Sequence, residues 1–322
     1  MSIVICTLFE GHYHYGVAAL TNSLYKVGYK GTIYVGYRGA MPSWASQAQS
    51  LTIKGWDECK QLQLDHGINL CFIRLNTDYH LTNYKPDFML RIIESIGTEI
   101  EGIFYFDPDI VITAPWSFYK DWLECGIALC EDVNSPLMEF HPKRVAWRKY
   151  YKPFGLDLAY KNSIYVNGGF IGVNLKNVGF LNAWKRVQEL MGEAIGGLNR
   201  SSLSGEQLPT HLSGDFAPFG KTDQDALNAA VEFYASEYSY LGKDAMSLAR
   251  GISIMSHALG QPKAWHWSPF GQMFKGRPPR TADKDYWKVV DYPIAIYNKY
   301  QIRRMRVLIS IAAFVGRFYK RN

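Results

Sequence analysis

The chain has 322 residues with 48% hydrophobic, 20% charged and 15% aromatic side chains, which is a globular composition and excludes a disordered or low-complexity protein. Its formal charge of +6 is local: Lys299, Arg303, Arg304, Arg306, Arg317, Lys320 and Arg321 fall in 292–322, a stretch with no acid, and the 35 Lys and Arg drop to 28 without them, against 29 Asp and Glu. The basicity therefore belongs to a tail, which argues against a general nucleic-acid surface.

Elements follow in an alternating order. "SIVICTL" (2–8) is apolar and β-branched and predicts a first strand rather than a signal peptide, since no basic segment precedes it. A helical pattern from 16 to 28 follows, then a strand at 32–37, a helix around 43–65, a strand at 69–75, a helix near 87–96 and a strand at 102–107. This rhythm implies an α/β fold with a mainly parallel central sheet flanked by helices. Further on, 126–131 reads as a strand, 141–155 as a helix, "IYVNGGFIGVN" (164–174) as a strand and 178–196 as an amphipathic helix. Residues 196–222 are too long for a simple connector and predict a binding loop or lid. The five cysteines (Cys6, Cys59, Cys71, Cys125, Cys130) form no C-x-x-C pair, and an odd count suits a reducing compartment.

Four stretches carry chemistry. "YFDPDIVI" (105–112) ends an apolar strand with Asp107 and Asp109 around Pro108, in a fold whose ligand crevice lies beyond the carboxyl ends of its strands. Two carboxylates held at a bend can share a hard divalent cation, although a turn with two solvated acids has the same sequence. His257, in "ISIMSHALGQPKAWHW" (252–267), would add an imidazole that suits Mn²⁺ better than Mg²⁺, or is simply structural. Gly260 allows close backbone approach to a phosphate and Lys263 supplies a mobile cation. "KTDQDALNAA" (221–230) opens a helix, with Thr222 or Asp223 as N-cap. The paired glycines of "VNGGF" mark either a bulge or the close approach of a ligand.

Taken in order, D-x-D, N-G-G, D-Q-D and H-x-x-G-x-x-K-x-W resemble the GT-A fold glycosyltransferases, and more narrowly glycosyltransferase family 8, the group of glycogenin and the bacterial lipooligosaccharide α-galactosyltransferases. The resemblance covers roughly residues 2–267. It implies a catalytic domain over 1–291, with a nucleotide-sugar half to about 112 and an acceptor half beyond. It implies metal ligands at Asp107, Asp109 and His257, diphosphate contacts at Gly260 and Lys263, and donor-sugar contacts at Asn167, Gly168, Asp223 and Gln224, with Asp225 the carboxylate alternative. Arg91 resembles the family's donor-contacting arginine, and the base would lie near Thr7 and Tyr13 or Tyr15, where "TLFEGHYHYG" departs from the family's D-x-x-Y; "KAW" stands for the commoner "KPW". The implied reaction is metal-dependent (Mn²⁺ or Mg²⁺), retaining transfer of a hexose from a nucleotide sugar of UDP type to a carbohydrate or glycolipid acceptor, as in surface-polysaccharide or lipopolysaccharide assembly. Gln224 would position the sugar and Asp223 bind its hydroxyls. A sugar-1-phosphate nucleotidyltransferase shares the topology but normally has a Gly-rich, Arg-containing loop after the first strand, and a non-catalytic relative usually loses a metal ligand.

The tail, 292–322, predicts a basic amphipathic helix over 296–321. Lys299, Arg303, Arg306, Ser310, Arg317, Lys320 and Arg321 lie on one stripe and Ile302, Met305, Leu308, Ile309, Ala312, Val315 and Tyr319 on the opposite side. That side would either enter an anionic membrane interface, placing the protein peripherally on the cytoplasmic face, or pack on the domain or on a second subunit.

Overall fold

The computed structural model describes residues 2–97, 99–203, 206–212 and 216–318, so the expected positions of Tyr319, Lys320 and Arg321 lie outside the described residues. The first strand, β1 (Ser2–Glu10), is apolar on both faces, with Val4, Cys6 and Leu8 in one core cluster and Ile3, Ile5 and Phe9 in another. Such a strand belongs in the middle of a sheet covered on both sides. It is followed by α1 (His14–Lys26), β2 (Gly31–Arg38), β3 (Gln49–Ile53), β4 (Trp56–Leu64), β5 (Ile68–Arg74), α2 (Lys85–Ile96), β6 (Ile100–Phe106) and β7 (Ile110–Ile112). The chain continues through α3 (Trp116–Leu123), β8 (Ile127–Cys130), α4 (Pro142–Tyr151), β9 (Phe170–Asn174), α5 (Gly179–Ile195), α6 (Thr222–Phe233), β10 (Tyr238–Leu241), β11 (Met255–His257), α7 (Pro269–Met273), α8 (Thr281–Val289) and α9 (Lys299–Val315).

Among the described residues one nine-stranded sheet runs in the order β10-β8-β9-β6-β1-β2-β5-β4-β3. Its centre, β6-β1-β2-β5, is parallel, and antiparallel pairs appear on either side of it at β6–β9 and β5–β4. The α/β expectation with a large, mainly parallel central sheet is met. The helix expected around 43–65 is not: apart from a single turn at Ser43–Ala45, that stretch forms the hairpin β3–β4. Ile53 pairs with Trp56 across the two-residue turn Lys54-Gly55, where Gly55 has φ +82°, a conformation that glycine adopts freely. The strand expected over 164–174 is shortened to β9, because Asn167–Gly169 leave the ladder.

Pro108 turns the chain between β6 and β7, and β7 leaves the main sheet to pair antiparallel with β11, Ile110 opposite His257. Helix α1 packs against that turn. A Cβ on Gly16 would stand 2.2 Å from the Pro108 carbonyl oxygen and 3.0 Å from the Trp265 ring. Alanine favours a helix over glycine by about 1 kcal/mol, yet a clash with rigid backbone costs ~1–3 kcal/mol, so the clash wins. Gly16→Ala is therefore expected to lower the urea unfolding midpoint; an unchanged or higher midpoint would show that α1 is not seated on the turn.

Candidate metal and diphosphate site

The carboxyl end of β6 delivers Asp107, and the backbone fixes it from two sides: its N–H donates to the Gly169 carbonyl at 2.7 Å and its carbonyl accepts from Ile110 at 3.1 Å. Asp109 starts the return into β7, and its carbonyl accepts from the Ala258 N–H at 3.1 Å, which ties it to the end of β11. His257, the last residue of β11, thus comes to the aspartates through strand pairing. Its Nε2 lies 3.2 Å from Asp109 Oδ1 and 3.9 Å from Asp107 Oδ2. One ligand atom from each of the three residues lies within 4.8 Å of those of the other two.

The remaining carboxylate oxygens are held by lysines. Asp109 Oδ2 accepts from Lys263 Nζ, which also donates to the Ala258 carbonyl at 2.8 Å. Asp107 Oδ1 lies 3.1 Å from Lys85 Nζ and accepts from the Tyr105 hydroxyl at 3.0 Å. Lys85 is buried and its ammonium also donates to Asp223 Oδ2 and to the Gly168 carbonyl, both at 2.8 Å. Each aspartate of the D-x-D thus gives one oxygen to a lysine and turns the other toward His257. Burial by itself would raise the Asp109 pKa, but Lys263 and His257 outweigh it and hold the carboxyl well below the usual carboxylate range. Burial likewise opposes the charge on Lys85, and Asp107 and Asp223 reverse that, so the ammonium stays protonated. Two carboxylate oxygens and an imidazole nitrogen, all facing one point, are a donor set that fits Mn²⁺ or Mg²⁺.

The glycine pair lies against this point. Asn167 Oδ1 accepts from the Gly169 N–H at 2.9 Å, a local turn that takes the chain out of the ladder, and its Nδ2 donates to Asp132 at 2.7 Å. A Cβ on Gly169 would stand 2.6 Å from His257 Cε1 and 2.8 Å from Asp107 Oδ2, so a side chain there would displace both. Gly168 is backed by α6: its N–H donates to Gln224 Oε1 at 3.0 Å, and Gln224 Nε2 is buried on the side of Tyr165. Helix α6 starts one residue earlier than the cap expected at Thr222 or Asp223, with Lys221 at the N-cap, and its first turn carries Asp223 and Gln224.

These residues line one cavity of about 340 Å³, the size of small-molecule sites. Asp107, Asp109, His257, Gly260, Lys263, Asn167, Gly168, Asp223, Gln224 and Tyr13 all reach it. Gly260 has φ +68° and faces open space. Four expected residues lie elsewhere. Thr7 is fully buried in β1, and its neighbours Leu8, Phe9 and Glu10 line the cavity instead. Tyr15 stacks on Tyr297 at 5.9 Å. Arg91 is exposed, donating to Tyr84 and the Gly55 carbonyl with its guanidinium 3.8 Å from the Trp56 ring centroid; Lys85, at the start of the same helix, is the cation that reaches the site. Asp225 is fully buried between Lys143 (2.9 Å) and the Tyr165 hydroxyl (2.7 Å), so it bolts α6 to α4 and does not face the cavity. Sequence reasoning missed Lys85 and Tyr105, and of the flagged glycine pair it gave a contact only to Gly168. Lys85 had a legible signal: it heads the helical stripe of Phe88, Met89 and Ile92, all fully buried, and a lysine on an apolar face needs an acid to meet.

No family model and no curated protein matches the sequence. Among solved structures the chain is similar to the apo structure of WbbM, a bifunctional glycosyltransferase, with a TM-score of 0.51 and 13% sequence identity over 95% of this chain and 52% of that one. The chain thus spans about half the length of that structure. At this identity the likeness is one of fold: the large α/β sheet with its flanking helices is shared with a glycosyltransferase.

Proposed function

We propose that the chain is a metal-dependent glycosyltransferase of the family 8 type, retaining, moving a hexose from a nucleoside-diphosphate sugar of UDP type to a carbohydrate or glycolipid acceptor. The observation that carries this reading is the division of the aspartate oxygens, one to a lysine and one toward His257, at the floor of a cavity. When bound by Asp107, Asp109 and His257, Mn²⁺ or Mg²⁺ would supply Lewis-acid neutralisation of charge on the leaving diphosphate.

The protein's own groups supply the rest. Lys263, beside the metal ligands, brings a second positive charge to the diphosphate, and Gly260 presents backbone without a side chain in the way. Asp223 has one oxygen on Lys85 and the other for sugar hydroxyls, and Gln224, which lines the cavity and holds the Gly168 N–H, would position the hexose. Residues up to about 112 would form the donor half and 113–291 the acceptor half. Val133 and Leu203, both exposed apolar side chains, line the cavity on the side where the acceptor would enter. An apolar rim of this kind favours an acceptor with a lipid or other apolar part. Among the described residues no helix is long and apolar enough to cross a membrane; on this reading the protein works peripherally at the cytoplasmic membrane face.

The test is hydrolysis of a UDP-hexose panel without acceptor, with and without Mn²⁺. Slow Mn²⁺-dependent release of free sugar is expected, lost in Asp109→Asn and reduced at least ~10-fold in Gln224→Ala. Pyrophosphate release from a nucleoside triphosphate and a sugar 1-phosphate would make the chain a nucleotidyltransferase, and donor binding without turnover would make it a non-catalytic relative. Lys85→Met, which leaves two carboxylates without their shared cation, is expected to cost about 3 kcal/mol of stability by urea unfolding; a neutral effect would remove Lys85 from the site's charge balance. With an acceptor supplied, alkyl glycosides should be used more efficiently than the free sugars, and Leu203→Ser should narrow that gap. Equal kcat/KM for both would sink the glycolipid assignment.

A further inference from the structure

Helix α9 carries two apolar arcs, and the fold uses one of them. Ile302, Ile309 and Ala312 are buried, and Met305 and Val315 half-buried, against Met273, Tyr286, Trp287 and Val290 of α7, α8 and the residue after α8. Arg306 clamps the same contact, donating to the Trp287 carbonyl at 2.7 Å and to Asp291 at 2.9 Å. The side that the sequence offered to a membrane is therefore covered by protein, and Arg306 leaves the free basic stripe.

On the opposite side, at 100° per residue, Tyr300, Val307, Ile311, Phe314 and Phe318 form one line, with exposures of 73, 52, 43, 59 and 78%. Lys299, Arg303 and Arg317 border it on one flank and Arg304 on the other. The neighbouring α7 exposes Phe270 and, just beyond its end, Phe274. We propose that this outward face of α9 rests on an anionic lipid bilayer, with the aromatic and aliphatic line in the head-group boundary and the flanking cations on lipid phosphates.

Charge selects this occupant. Residues 292–322 contain no acid, and Asp291, which borders this face, is already held by Lys26 and Arg306, so a second copy laid on the same face would set Lys299, Arg303, Arg304 and Arg317 against like charges. A bilayer rich in anionic lipid satisfies both parts of the face, because the apolar line is buried while each nearby Lys or Arg gains from the surface potential. The geometry also differs from that of an isolated amphipathic helix: α9 is packed on α7 and α8, so its helix is already formed when its outward side chains meet a surface.

The test is co-sedimentation of the full chain with vesicles of phosphatidylcholine alone and of phosphatidylcholine mixed with phosphatidylglycerol. Binding is expected to the mixed vesicles only, to fall as salt is raised, and to weaken at least ~10-fold in Phe314→Glu/Phe318→Glu. Because both side chains are exposed, the double variant should unfold at the wild-type urea midpoint. Wild-type protein that ignores anionic vesicles, or a double variant that binds them as well as wild type, overturns the proposal. A wild-type dimer in solution that the double variant dissolves assigns the face to a second copy and overturns it equally. Vesicle binding is read without donor, metal or acceptor, so its failure is distinct from failure of the proposed reaction.

Discussion

Three carboxylates and two ammonium groups share the floor of the cavity, and the way they divide their oxygens constrains everything around it. An aspartate as buried as Asp109 would cost several kcal/mol if left unpaired. Lys263 meets that cost at Asp109, and Lys85 does the same for Asp107 and Asp223 together. Two positive charges against three negative ones leave a residual negative charge next to a histidine, an arrangement that favours a small cation and disfavours an anion entering alone. The glycines follow from the same crowding: Gly169 has no Cβ because His257 and Asp107 occupy its place, and Gly16 has none because α1 must approach the turn between the aspartates.

Much of this was readable from local patterns. The strands around β1 and β6 are continuous apolar runs that only a doubly covered sheet accommodates, and D-x-D at the end of one of them placed two carboxylates at its carboxyl edge. His257, Gly260 and Lys263 are singled out by the resemblance of H-x-x-G-x-x-K-x-W to a family motif, since a lone histidine after a strand is by itself more often structural. What spacing does not contain is distance across the fold. Arg91 and Lys85 lie on the same helix, six residues apart, and both are plausible cations for the site. Only the packing of that helix turns Lys85 inward and leaves Arg91 over Trp56. Asp225 shows the converse: it neighbours Gln224 in sequence, but the rotation of one helical residue turns it away from the cavity and into Lys143 and Tyr165.

The β3–β4 hairpin and α9 expose two further blind spots. An alternating α/β rhythm invites a helix between β2 and β5, while the Lys54-Gly55 turn is a two-residue signal that the rhythm overshadowed. In α9 the helical wheel finds the side of Ile302, Met305, Ile309 and Ala312 that packs on the domain, but it leaves out the second apolar arc of Tyr300, Val307, Ile311 and Phe314 and puts Arg306 on the free basic stripe. Which arc meets the protein is decided by Tyr286, Trp287 and Met273, whose surface accepts Ile302 and Ile309.

The short β7–β11 ladder also has a temporal meaning. Asp109 and Lys263 are 154 positions apart, and the imidazole arrives on the same late strand as the lysine follows. During synthesis the ribosome releases the aspartate pair long before either late partner exists. The nascent polypeptide therefore carries an acidic, incompletely neutralised turn until residues 255–263 emerge. Closure of that ladder is a late event in maturation, and only then can Asp107, Asp109 and His257 come together.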